Sequence, residues 1–330
     1  MVMTDLPQNS ARKRHYLRWI MLVVILVAVV AVALNREWLY DWYRGLIYQP
    51  TAEMVGIREK LELTGRGEFL FGAAQPELNT AEEFNENCRK DESEVAVLGC
   101  YTNENIYVYN ITDEKLDGIR ELTTAHELLH AVWARMDESV KKDILPTLEQ
   151  VYKDNADVLK EDIEVYTEAE RLEEIFVRAG TEIKNLPDGL EKIYAEIFED
   201  QDKIVEYYEQ YIGVFRNIKA RMEVLSAEME TLSEEINEKT EEYIKQANQL
   251  EADIVSFNSC AEVAGCFRSE SDFSTQREML IARQDGLGVL NDEINMLINK
   301  YNVMVDEYNA DVTESHKLQD MINSNSKVEL

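Results

Sequence analysis

The phrase His126-Glu127-Leu128-Leu129-His130 holds two of the four histidines in this 330-residue chain. Residues four apart share one face of an α-helix, because 3.6 residues complete a turn, so both imidazoles can grip one metal ion. Glu127 sits about 100° further round the same helix. From there its carboxylate can reach a water in the metal's open position, accept a proton from it and later hand that proton on. Such chemistry needs a helix to space the histidines, a third ligand and an open side for a substrate.

The elements that must supply these are partly legible. Thr112 suits an N-cap, with Asp113 and Glu114 in a first turn, and apolar residues recur at Leu116, Ile119, Leu122, Leu129 and Val132. No Pro or Gly interrupts Ile119 to Met136, so the histidines are predicted on a helix. Before it, Glu94 to Tyr101 and Ile106 to Ile111 are predicted as strands joined by the turn Thr102-Asn103-Glu104-Asn105.

The phrase resembles the HExxH signature of zinc metallopeptidases. Metzincins extend it to HExxHxxGxxH, but Trp133 and Met136 replace the glycine and the last histidine, which excludes that subclass. The other histidines are His15, beside an N-terminal apolar run, and His316, near the C-terminus. A carboxylate is therefore expected as third ligand, giving a gluzincin-like site of two His and one Glu around Zn²⁺.

Downstream, Glu173 to Glu182 reads as the end of a second helix, with Gly180 as its C′ residue. Its E-x-x-x-x-x-G-T-E phrase is similar to one in a family of small bacterial HExxH proteins, often membrane anchored; the resemblance covers Phe69 to Phe198. Because gluzincin ligands project from a helix interior, the resemblance implies Glu174, with Glu182 or Glu173 as alternatives. It further implies a peptidase in which Glu127 is general base, a Tyr, His or Arg stabilises the oxyanion, and an extended substrate pairs with an edge strand above the metal. The same strands would also make an ordinary hairpin.

Trp19 to Leu34 carries no charge, and residues 16–34 approach the roughly 20 needed to span a bilayer. Arg12, Lys13, Arg14 and Arg18 precede this run, which places residues 1–15 in the cytoplasm and everything after the span outside. Trp38, Tyr40, Trp42 and Tyr43 would form an aromatic belt in a juxtamembrane segment, 35–66. A signal peptide cleaved after Ala31-Val32-Ala33 is the competing reading, and it too exports the chain. The cysteines agree: Cys88 with Cys100 and Cys260 with Cys266 make two local disulfides, a second zinc site being the weaker alternative without C-x-x-C spacing.

The net charge of −31 excludes nucleic acid as a partner, since phosphates demand Lys and Arg. It keeps the chain soluble and away from anionic surfaces. After Phe198 a heptad spacing begins: Ile218, Met222, Leu225, Met229, Leu232, Ile236, Tyr243 and Leu250, with Lys239 and Gln246 as polar interruptions. It resumes at Leu287, Leu290, Ile294, Leu297, Tyr301, Met304 and Tyr308, which predicts an antiparallel hairpin with a disulfide-tied tip. Such an arm suits a spacer, a partner-binding surface or self-association.

The expected fold class is α+β, mainly α. A transmembrane helix leads to a zincin-like domain with a short sheet over 67–200, then to the coiled-coil hairpin over 201–322 and a tail over 323–330. The expected activity is extracytoplasmic hydrolysis of a peptide or protein. The alternative is a non-enzymatic envelope scaffold built on the hairpin with an inert zincin domain.

Overall fold

In the computed structural model, residues 9–88, 97–163 and 167–324 are described. The first residues of the strand expected from Glu94, most of the tail 323–330 and residues 1–8 lie outside them. The first elements are α1 (Asn9–Leu34), α2 (Arg36–Ile47), α3 (Ala52–Lys60), α4 (Gly65–Ala74), β1 (Glu77–Asn79), α5 (Ala81–Asn87), β2 (Gly99–Thr102) and β3 (Asn105–Tyr109). A 3₁₀ turn (Glu114–Leu116) leads to α6 (Ile119–Arg135), α7 (Glu138–Asp154), α8 (Ala156–Ile163), α9 (Glu168–Glu182) and α10 (Asp188–Tyr194). Two long helices, α11 (Gln201–Ala261) and α12 (Glu270–Ile322), complete a mainly helical chain. Residues up to Ile212, with those from Asp320 onward, form one compact unit; Gly213–Gln319 form a second.

The histidine helix begins later than Thr112. Asp113 accepts a hydrogen bond from the Lys115 amide at 2.9 Å and caps the 3₁₀ turn instead. Gly118 then takes φ +89°, a left-handed conformation open to glycine at little cost, and redirects the chain into α6. The inward face of α6, including Leu128, Leu129 and Val132, packs into a core shared with Phe176 of α9, Ile106 and Val108 of β3, and Met54 and Ile57 of α3.

Three strands form the sheet, in the order β1-β3-β2. β2 and β3 pair antiparallel from Gly99↔Val108 to Thr102↔Asn105. Asn103 and Glu104 between them have φ +49° and +63°, the backbone of a tight hairpin turn whose twist matches the strands. β1 pairs with β3 in parallel, which among the described residues leaves β2 at one edge.

Gly180 does not end a helix. α9 continues to Glu182, and a Cβ at Gly180 would lie 2.6 Å from both Leu129 Cδ1 and Tyr194 Cε1. The missing side chain lets α9 lie close against α6. Tyr194 is fully buried and donates its hydroxyl to the Phe176 carbonyl at 2.6 Å, so its ring cannot yield space. Gln201 then satisfies the carbonyls of Gly180 and Ile183 at 3.0 and 3.1 Å where α9 stops.

One arginine fastens three elements together. Arg135, at the end of α6, donates to both carboxylate oxygens of Asp41 on α2 at 2.9 Å and to the Tyr101 hydroxyl on β2 at 2.7 Å. Burial works against its charge, but Asp41 and Tyr101 outweigh it and raise the guanidinium pKa.

Along α1 the apolar side chains are exposed, from Trp19 at 68% to Leu34 at 80%. Among the described residues no single helix is long and apolar enough to cross a membrane, but Arg18–Leu34 and Arg36–Ile47, bent by 75°, pass that test together. A single span over 16–34 is thus not shown.

In the second unit, α11 and α12 run antiparallel and are cross-linked by ion pairs from Arg221 to Asp311, Lys239 to Glu293 and Arg283 to Asp253. Lys239 is partly buried, as its core position suggests, and reaches Glu293 at 3.1 Å. Gln246 is not a core residue: it is exposed and bonds Glu242, while Ala247 takes the inward place between Tyr243 and Leu250. Two successive four-residue steps, Lys239 to Tyr243 to Ala247, make a stutter that locally unwinds the supercoil. The Cys260–Cys266 disulfide closes the intervening loop.

The Gly180 contact carries a stability consequence. Gly180→Ala forces a methyl group into occupied space and should cost about 1–3 kcal/mol. Urea unfolding monitored by circular dichroism checks this; an unchanged or raised midpoint would contradict the close-approach role.

Candidate metal centre

His126 and His130 project from one face of α6, their ring centroids 5.1 Å apart. Glu174 comes from α9, held opposite by the Gly180 contact, and its carboxylate lies 3.8 Å from His126 Nε2 and 3.5 Å from His130 Nε2. One ligand atom from each residue falls within 4.8 Å of the others, so this group could hold a metal ion. Ligands about 2.0–2.2 Å from a tetrahedral ion stand about 3.3–3.6 Å apart, close to the two contacts to Glu174. Among the described residues this is the group of His, Cys, Asp and Glu side chains with that geometry.

The neighbouring glutamates divide other tasks. Glu173 Oε1 lies 2.8 Å from His130 Nδ1, on the ring edge away from Glu174. It accepts the Nδ1 proton and leaves Nε2 as the free ligand atom, the arrangement in which a carboxylate orients a metal-binding histidine. Glu182 lies outside the group: it accepts two hydrogen bonds from Arg178 at 2.8 and 2.9 Å. The chain therefore brings together His126, His130 and Glu174, with Glu173 one bond behind and Glu182 elsewhere.

Electrostatics separate the two imidazoles. Burial, then His130, then Arg178 push His126 well below its ordinary value, so it is neutral. Burial pushes His130 down too, but the Glu173 hydrogen bond and the charges of Glu127, Glu174 and Glu173 outweigh it and raise the pKa to about 9.

Glu127 is 5% exposed and turns toward the edge strand. A Cβ at Gly99 would lie 2.7 Å from both Cγ and Oε1 of Glu127, and 2.6 Å from Thr123 Cγ2. Only a glycine leaves room for the carboxylate between α6 and β2. The sequence reading did not single out Gly99, nor Arg178, whose charge bears on His126. A glycine inside a predicted strand was the available signal, since it often marks a close backbone approach.

Both predicted disulfides are formed. Cys88–Cys100 ties the end of α5 to β2, one residue from Gly99.

No family model, curated protein or solved structure matches this chain. Its site must be read from its own geometry.

A metal ion binding here must displace the proton on His130, because a ligand nitrogen has to be deprotonated. Well below pH 9 that proton is present, so affinity should rise about tenfold per pH unit toward pH 9 and level off above. Glu173→Gln removes the main support of the raised pKa and should weaken metal binding about 10–100-fold above about pH 9, where neither form carries the proton, with a smaller loss at neutral pH because less proton has to be displaced. It should also move the plateau to lower pH. Titration calorimetry at several pH values checks both; a pH-independent affinity would break the assignment.

Proposed function

We propose that this chain is a membrane-anchored zinc metallopeptidase acting outside the cytoplasm. The observation that carries the reading is the convergence of His126, His130 and Glu174, with the Glu127 carboxylate next to them against an edge strand. Two imidazoles and one carboxylate suit Zn²⁺ better than the harder Mg²⁺ or Ca²⁺, which prefer all-oxygen shells. When bound, the ion supplies Lewis acidity for the scissile carbonyl and for a water molecule.

The protein's own groups do the rest. Glu127 would accept a proton from a water as its oxygen bonds the scissile carbonyl carbon, and would pass that proton to the amine nitrogen as the C–N bond breaks. Glu173 fixes the tautomer and orientation of His130. An extended peptide adds to the side of β2 that has no strand partner among the described residues, backbone to backbone, which brings its carbonyl past Gly99 toward Glu127. A disulfide at Cys100 keeps that strand in place.

For the anchor, the support is the uncharged run Trp19–Leu34 and the exposure of its side chains to the surroundings. With Arg12, Lys13, Arg14 and Arg18 preceding it, the span orients the remaining chain outward. Two disulfides agree with an oxidising space.

Glu127→Gln should lower cleavage of an unfolded protein such as reduced casein by about 10²–10⁴-fold while zinc content stays near one per chain. Equal activity in the variant, or zinc retained by the parent with no cleavage of any unfolded protein, would favour an inert scaffold. Topology has a separate check. Proteinase added to intact cells should degrade the chain from residue 36 onward, and full protection would reverse the orientation.

A further inference from the structure

The arms of the hairpin use one apolar seam against each other, yet α12 carries a second. Val289, Met296 and Val303 recur every seven residues, 61%, 63% and 56% exposed, and Ala282 and Ala310 extend the same row. The inward seam of α12 runs through Leu287, Ile294 and Met304. The exposed row therefore lies on a different side of the helix and does not serve the hairpin. Scattered surface valines need no explanation, but a row in strict heptad phase over about 42 Å, at 1.5 Å per residue, is the pattern by which one helix seats another. Helix formation does not account for it either. β-Branched Val289 and Val303 are poorer helix formers than the Glu, Lys or Gln found elsewhere on this surface.

What flanks the row selects its occupant. In a heptad the neighbouring positions lie about 50° to either side, from the 3.5-residue period. On one side stand Asp285, Asp292 and Asp306, all exposed; on the other, Glu293 and Glu307, with Lys300 the single base between them. Glu293 is shared with Lys239 of the opposite arm, and the remaining acids face solvent. A second copy of this chain would set acid against acid, and the chain's net charge of −31 adds to that repulsion. An anionic lipid surface is rejected by the same charges. We propose that this face of α12 docks a basic amphipathic helix of a partner protein, with an apolar row of seven-residue period flanked by Lys or Arg. Opposite charge on both rims gives the pairing its orientation and its partner choice, as it does at coiled-coil flanking positions.

The test uses the full-length chain and a labelled four-heptad helical peptide with Leu in the row and Lys on both flanks. Fluorescence anisotropy should show binding, weakened at least about tenfold by Val289→Gln, Met296→Gln and Val303→Gln together, with unchanged circular dichroism. A second variant, Asp285→Asn, Asp292→Asn and Asp306→Asn, keeps the apolar row and should flatten the salt dependence. Three outcomes overturn the proposal. Equal binding by the triple Gln variant would mean attraction to net charge alone. Equal binding of a Glu-flanked peptide would remove the charge argument. A dimer of the parent chain in sedimentation that disappears in the triple Gln variant would make a second copy the occupant.

Discussion

Three carboxyl groups, Glu127, Glu173 and Glu174, crowd two imidazoles in a partly dehydrated pocket, and their repulsion has to be met by positive charge. That constraint shapes the site. Glu174 is 7% exposed and Glu127 5%, so water screens them weakly. His130 answers by holding its proton up to about pH 9, and Arg178 supplies fixed charge nearby while Glu182 holds it in place. His126 has the opposite environment and stays neutral. A divalent cation fits such a place because it would meet Glu174 directly and bring twice the charge of one imidazolium to offset Glu127 and Glu173 close by.

Holding like charges together takes rigid support, and the scaffold provides it by close approach. Gly180 removes a side chain so that α9 can bring Glu173 and Glu174 up to α6. Gly99 removes another so that Glu127 fits beneath β2. Further along the same face of the edge strand Arg135 binds Tyr101, and from the opposite face Cys88–Cys100 fastens the strand to α5. The candidate ligands and Glu127 thus come from elements whose separation is set by missing atoms and cross-links, with few soft degrees of freedom left. Sites built on helices and strands in this way keep their geometry better than sites on loops.

Much of this was legible because it is local. The i, i+4 spacing of His126 and His130 needs only the helical period, and the heptads of α11 and α12 repeat often enough to survive polar interruptions. Glu174 was reachable through a resemblance joined to the idea that ligands leave a helix interior. What misled is instructive. Gly180 reads as a helix terminator in one dimension because that is glycine's commonest use there, whereas here the tertiary contact with Leu129 and Tyr194 decides its place. Thr112 looked like a cap because capping is judged by residue type, while Asp113 and Gly118 set the true start. β1 escaped notice because a three-residue strand with a parallel partner some thirty positions away leaves no local pattern. Glu173 was weighed as a ligand, but its hydrogen bond to Nδ1 depends on an orientation that no spacing rule fixes.

The hairpin shows how polar residues can specify without adding much stability. Its cross-arm ion pairs are partly exposed, and such pairs contribute little individually. The apolar seam through Ile218, Leu232, Leu250, Leu287 and Ile294 carries the association instead. That seam alone would tolerate sliding by one heptad, since Leu, Ile and Met are nearly interchangeable in volume. Sliding would separate Arg221 from Asp311 and leave Asp311, 9% exposed, without its guanidinium. The burial of that one aspartate adds to the short disulfide-closed loop in disfavouring the wrong register, so the pair supports alignment even where its net contribution to stability is small.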